Sequence, residues 1–327
     1  MQRIKEHIKS HQFSRCYLLY GQEDYLKKLY KNQLKKAILT DENDINYSYF
    51  EGHGISIPQL VLSAQTLPFF NDYRFILVEN SGLFGSQSEL PDQIKDFPKT
   101  TILVFVEKEV DKRNRLYKAV ASIGTICEMN GMEEKNLKLW AASLLSKEHK
   151  KIRESDLIYF FEKSGTNMEL LSKELEKLIS YTGDNEIVTR EDIDAICTTQ
   201  VVSQIFAMID SFINGSMAAA LHLYKDLLSS REKPLSILFL ISRHFHILLQ
   251  MKEAQALQVD DKTAASRIGV PPFSIKKYRK QAYHFTEQEL KYFLETCLSL
   301  EHDIKSGQLH EQIAVELLLA KIAALPK

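Results

Sequence analysis

The stretch "YLLYGQEDYLKKLYKNQL", residues 17–34, runs from an apolar strand through one glycine into a basic amphipathic helix, the junction where a phosphate-binding loop would sit. Such a loop reads G-x-x-x-x-G-K-[ST]: the glycines let backbone N–H groups wrap the phosphates, the lysine reaches them, and the hydroxyl holds magnesium. Gly21 and Lys27 fit this pattern, but Leu26 stands at the second glycine and Lys28 at the hydroxyl. Glu23 and Asp24 put carboxylates inside the loop, where a polyphosphate needs neutral or cationic surroundings, and they suit the positive first turn of a helix instead. The apolar run "FILVEN" ends in Glu79-Asn80, with no aspartate ready for magnesium. The residues therefore predict no nucleotide site and no bound cofactor.

Other reactive side chains lead no further. His244 and His246 are two apart on a helical pattern, so they point to opposite sides and cannot share an ion. Cys16, Cys127, Cys197 and Cys297 are far apart, form no C-x-x-C pair, and read as buried thiols of a reducing compartment. No nucleophile and base stand in a recognisable arrangement, and no catalytic residue is assigned. The strongest rival signal is "AASRIGVPPFSI", in which Ala265, Gly269 and Ile275 follow helix-turn-helix spacing and lead into Lys276, Lys277, Arg279 and Lys280. A basic second helix there could enter a major groove, making residues 262–282 the core of a DNA-binding regulator. Pro271 and Pro272 give the turn an unusual shape, and a plain helical corner with a solvated basic face is the simpler reading.

The elements that must carry these residues fall into two regimes. Strands are expected at "CYLLYG", "INYSYFEG", "RFILVEN", "TTILVFVEK" and "GTICEMNG", with helices at about 23–38, 57–66, 89–96 and 111–122. Runs such as "TILVFV" suit strands covered on both faces, hence a parallel sheet between helices, ending near Trp140. Beyond it the pattern is all helix. Thr166 with Glu169, Thr189 with Asp192, and Thr286 with Glu289 have capping-box spacing, and Gly165, Gly183, Gly215 and Gly307 supply stops. Leu290, Phe293, Leu294, Cys297 and Leu300 share one helical face, as do Leu171, Leu175 and Leu178 beside an outer face bearing Glu174 and Lys177. Helices lengthen and become more apolar near Thr199.

Composition is that of a globular chain: 327 residues, 44% hydrophobic and 26% charged, enough for two or three cores. With 42 Lys and Arg against 43 Asp and Glu, the net charge of -1 draws the chain onto neither nucleic acid nor membrane. "MQRIKEHIKSHQF" lacks an apolar signal core, and no run reaches the roughly 18 apolar residues of a membrane span. The expectation is a cytoplasmic protein without membrane contact.

One segment stands out as a contact candidate. In "SAQTLPFFND", residues 63–72, a helix beginning near Ser56 and Pro58 buries Leu60, Val61 and Ala64, and Pro68 then forces the chain out of the helix. Leu67, Phe69 and Phe70 gather at the resulting turn. Either they plug the sheet edge or at least one faces solvent or a partner; the residues alone leave both open.

Seven motifs in order, "YLLYGQEDYL", "TLPFFNDYRFILVEN", "DKRNRLYKAV", "LLSKELEKLISYTG", "REKPLSILFLISRHFHILL", "IGVPPFSIKKYRKQAYHFTEQEL" and "HDIKSGQ", make the whole chain resemble the delta subunit of the bacterial DNA polymerase III clamp loader. The resemblance implies α/β plus all-α architecture: an AAA+-like parallel-sheet domain without a P-loop over 1–139, a small helical lid-like domain over 140–208, and a helical collar domain over 209–327. It implies a non-catalytic subunit that binds and opens the sliding clamp (beta subunit) for loading onto primed DNA, while the gamma/tau motor subunits hydrolyse ATP. The delta-prime subunit would share the collar. It also places a hydrophobic wedge entering a clamp pocket at Leu67, Pro68, Phe69 and Phe70. Ser14-Arg15-Cys16 matches the tripeptide carrying the arginine finger in some clamp-loader subunits, but it enters a strand at the end remote from ligand sites in such sheets.

Overall fold

The computed structural model of the chain describes residues 1–39, 41 and 44–324. It divides into two compact units, Met1–Met132 and Glu133–Lys327.

The first unit is built as α1 (Gln2–Ser10), β1 (Cys16–Tyr20), α2 (Asp24–Ile38), β2 (Tyr47–Glu51), α3 (Ile57–Gln65), β3 (Arg74–Glu79), α4 (Leu90–Gln93), β4 (Thr101–Glu107), α5 (Arg115–Ile123) and β5 (Thr125–Glu128). Every strand pairing is parallel, in the order β2-β3-β4-β1-β5. β1 and β4 are buried at every position, which is why they read as unbroken apolar runs. Alternate residues face alternate layers. Cys16, Leu18 and Tyr20 pack with Leu60 and Ala64 of α3 and Leu116 and Val120 of α5. Tyr17, on the opposite face, bonds His7 of α1 through its hydroxyl at 2.8 Å. The expected helix at 89–96 is the short α4, and that at 111–122 starts only at Arg115, where Asn114 caps it by accepting the Leu116 N–H at 2.7 Å.

The second unit opens with α6 (Glu134–Lys147), so the boundary lies at Met132 and Trp140 is a buried residue within that helix rather than the end of the first unit. There follow β6 (Lys151–Ile152), α7 (Glu154–Ser164), α8 (Met168–Thr182), β7 (Ile187–Val188), α9 (Arg190–Ile196), α10 (Val201–Ile213), α11 (Met217–Ser229), α12 (Pro234–Ala256), α13 (Asp261–Ile268), α14 (Ile275–Tyr283), α15 (Glu287–Lys305) and α16 (Glu311–Ala323). The region is not all helix, since β6 and β7 pair in parallel. Two-residue strands carry no alternation to detect, and they are held by a non-local contact: buried Lys150 donates to the carbonyls of Gly183 and Asn185.

Capping boxes form at Thr189 with Asp192 and at Thr286 with Glu289. At α8 the cap is Asn167 instead of Thr166; its side chain accepts from the Leu170 N–H at 3.0 Å. Glu174 also departs from the expected outer face. It is buried, pairs with Lys177 at 2.7 Å and accepts the Thr198 N–H at 3.1 Å, tying α8 to the end of α9. A single core from Ile205 to Ile322 fills α10–α16, with Leu290, Phe293, Cys297 and Leu300 in it and Leu294 against it. By length and composition α12 is apolar enough to cross a membrane, which the sequence reading did not anticipate. Nine of its residues, from Ile237 to Ala254, are buried in this core.

Candidate contact loop and the vestigial phosphate loop

The loop after β1 is tightly formed, but its polar groups are turned on the protein. The Gly21 N–H donates to the Glu107 carbonyl at 3.3 Å and the Glu23 N–H to the Met129 carbonyl at 2.9 Å. Asn130 Oδ1 accepts the Gln22 N–H at 3.3 Å, and the Glu23 carboxylate, capping α2, accepts the Tyr25 N–H at 3.3 Å. The amides that would wrap phosphate are therefore engaged. Lys27 is buried, and its ammonium lies 2.7 Å from the Gly21 carbonyl oxygen and 2.9 Å from Asp24 Oδ1. Gly21 itself, at φ 128°, is required by packing: a Cβ there would lie 2.3 Å from the Met129 carbonyl oxygen.

The acids at the strand ends are also occupied. Glu79 pairs with Lys31 at 2.7 Å. Glu107, which the sequence reading passed over, is buried and accepts from the Ser81 N–H at 3.0 Å and the Ser81 hydroxyl. Burial raises its pKa, and the Ser81 bonds oppose that rise. An acid closing an otherwise apolar strand was the available signal. The donor set does not fit a magnesium-bound triphosphate.

The loop from Thr66 to Tyr73, between α3 and β3, is different. Ser56 caps α3, accepting the Gln59 N–H at 3.4 Å, and Leu60 and Ala64 are buried while Val61 is half-buried. The helix ends at Gln65, and Leu67, Phe69 and Phe70 project with 67%, 61% and 95% of their surfaces exposed; Pro68 is half-buried between them. None plugs the sheet edge. The Phe69 and Phe70 rings meet edge-on, centroids 4.3 Å apart, and Phe70 holds a left-handed backbone at φ 51°. Leu62, 68% exposed on α3, adds apolar surface that the sequence reading did not single out. Asn46, also missed, is buried and bonds both backbone groups of Phe69, at 2.6 Å and 2.9 Å. A contact spanning 23 residues leaves no local sequence trace.

The remaining candidates have structural roles. Arg15 donates to the carbonyls of Lys95 and Phe97 in the turn between α4 and β4. His244 is buried and His246 exposed, so they do diverge. His244 Nε2 bonds Gln281 Oε1 at 2.7 Å, and burial drops its pKa to about 4. Since Gln281 Nε2 donates to Asp210 Oδ1 at 2.7 Å, its oxygen faces His244, and His244 carries its proton on Nε2. Among the described residues no group of three or more His, Cys, Asp or Glu could hold a metal ion. The helix-turn-helix candidate does form a corner, α13 then α14. However, Ile275, Tyr278 and Ala282 are buried, Phe273 before α14 stacks on Phe161, Lys277 pairs with Glu162 at 2.6 Å and Arg279 with Asp261 at 2.5 Å. The helix start that would enter a groove is packed against α7.

Comparison with known proteins gives a consistent picture. A family model described as DNA polymerase III, delta subunit, matches residues 17–130, and one described as DNA polymerase III delta subunit, C-terminal domain, matches residues 202–322. DNA polymerase III subunit delta of Bacillus subtilis (strain 168) is 26% identical over 319 residues, spanning 94% of this chain and 92% of that protein. A probable DNA polymerase III subunit delta of Aquifex aeolicus (strain VF5) is 22% identical over 321 residues, spanning 93% and 89%. The solved structure of the Bacillus subtilis DNA clamp loader delta protein shares the fold, with a TM-score of 0.72, 24% identity and 99% of both chains covered.

Proposed function

From its place in the DNA polymerase III delta-subunit family, to which the chain belongs, we propose that it is the non-catalytic clamp-loader subunit that binds and opens the sliding clamp for loading onto primed DNA. The observation that carries this reading is the exposed Leu67, Phe69 and Phe70 trio on one short ordered loop. Apolar anchors of this size, filling a pocket on a partner, commonly contribute about 2 kcal/mol or more each. Leu67, Pro68, Phe69 and Phe70 are the clamp-binding residues, and the wedge they form enters a pocket on the clamp.

The chain neither binds nor hydrolyses ATP on this reading, because Lys27 donates to the Gly21 carbonyl and the loop N–H groups of Gly21 and Glu23 donate to the carbonyls of Glu107 and Met129, all inside the protein. Gamma/tau motor subunits supply hydrolysis, and this subunit transmits their movement. Residues 1–132 serve as the clamp-binding domain, 133–208 as a lid-like spacer, and 209–327 as the collar joining the motor and delta-prime subunits; the continuous core from Ile205 to Ile322 supports the last assignment. Primed DNA is met through the assembled complex, in the cytoplasm.

The test is the triple variant Leu67→Ser, Phe69→Ser, Phe70→Ser, measured for surface binding to immobilised clamp beside circular dichroism and gel filtration with the motor subunits. Loss of clamp binding with fold and assembly retained is expected. Unchanged clamp affinity in the folded variant overturns the assignment.

A further inference from the structure

We infer that Asn46 is the positioning residue of the clamp-contact loop, holding the apolar anchors in their binding arrangement before any partner arrives; this rests on the reading of residues 67–70 as the contact element. Asn46 is 1% exposed and lies just before β2, while Phe69 lies in the loop between α3 and β3. Its Oδ1 accepts the Phe69 N–H at 2.6 Å, and its Nδ2 donates to the Phe69 carbonyl at 2.9 Å. One side-chain amide thus satisfies both backbone groups of a residue whose ring is in solvent, as a paired strand would.

Asp44 sets that amide. Its Oδ1 accepts from Asn46 Nδ2 at 2.7 Å and from the Asn46 N–H at 2.8 Å, and its Oδ2 accepts from Asn71 Nδ2 at 2.9 Å. An ionised carboxylate only accepts, so a reversed Asn46 amide would set oxygen against oxygen at both Asp44 and the Phe69 carbonyl. The Asn46 carbonyl in turn accepts the Phe75 N–H at 2.9 Å, fastening the arrangement to β3.

The consequence is visible one residue on. Phe70, a bulky residue at φ 51°, is almost wholly exposed, and such a conformation persists only where the surroundings over-determine it. With Phe69 clamped on both sides, the two rings are presented in one geometry, and ordering that would otherwise weaken association is met during folding.

The experiment uses the full-length chain, immobilised clamp and residue-resolved amide hydrogen exchange. In the unsubstituted protein the Phe69 amide should exchange slowly despite its exposed ring; fast exchange overturns the inference, and this decides the matter even if Asn46→Ala does not fold. Folded Asn46→Ala should bind the clamp at least tenfold more weakly and exchange the Phe69 amide at least tenfold faster, with Ile76 and Val104 amides unchanged. Ser81→Ala, which loses a buried hydrogen bond elsewhere in the same unit, should lower the melting temperature without changing clamp affinity. That outcome separates positioning from general destabilisation, and an equal affinity loss in Ser81→Ala counts against the proposal. If the triple Ser variant loses clamp binding while folded Asn46→Ala keeps it, the role of Asn46 fails and the contact loop stands. If the triple variant binds normally, the reading of the loop fails and the clamp-binding role of Asn46 falls with it.

Discussion

The ammonium of Lys27, in the first turn of α2, lies 2.7 Å from the carbonyl oxygen of Gly21, six residues earlier in the loop after β1. In a working phosphate loop the lysine side chain and the backbone N–H groups converge on the ligand; here the lysine donates to the loop's own carbonyl and pairs with a neighbouring aspartate. The residue has become part of the core.

Lys27→Ala should therefore cost stability. It leaves the Gly21 carbonyl without its ammonium donor, for a loss of about 1–3 kcal/mol in denaturant unfolding. Calorimetric titration of the unsubstituted chain with Mg-ATP should be flat. Micromolar ATP binding that vanished in a fully stable Lys27→Ala would contradict the assignment.

Phe70→Gly should separate stability from binding. Glycine adopts φ near 51° without the left-handed strain of about 1–2 kcal/mol, against a backbone-entropy cost of about 0.5–1 kcal/mol, and almost no packing is lost at a 95% exposed ring. Denaturant unfolding should show a gain of about 0.5 kcal/mol, while clamp binding weakens. A loss of more than 1 kcal/mol would mean that the ring supports the fold.

His244 makes the second unit sensitive to acid. Its folded pKa of about 4 lies below the ordinary 6.5, so between these values the unfolded chain binds a proton that the buried imidazole, facing Gln281 and Asp210, rejects. Its contribution is fully present above pH 6.5 and is lost as pH falls toward 4, on the order of 3 kcal/mol. His244→Gln, which keeps a donor toward Gln281, should flatten that part of the profile. Parallel stability-pH curves for the two proteins would refute this account.

Phe239→Asp addresses assembly. Phe239 on α12 is 65% exposed although nine residues of its helix lie in the core of α10–α16. The substitution should leave thermal unfolding within about 0.5 kcal/mol, as surface changes do, and reduce co-purification with the motor subunits without altering clamp binding. Undiminished co-purification would exclude this face from the collar interface.

What the sequence by itself determined was local. Strands β1, β3 and β4 of the first unit were legible because strands buried on both faces must be apolar nearly throughout, and helix ends at Thr189, Thr286 and Gly165 were legible because caps act within one turn. The failed phosphate loop and the gathering of Leu67, Phe69 and Phe70 at a proline-bounded turn were equally readable, since both depend on neighbours in the chain. Tertiary structure decided the rest. It turned the three anchors outward instead of into the sheet edge, drew Asn46 onto Phe69, set Lys27 against the Glu107 carbonyl, buried Glu174, and paired Lys151–Ile152 with Ile187–Val188. These outcomes rest on hydrogen bonds and burial between segments far apart in the chain, and such contacts impose no spacing rule on the residues that make them.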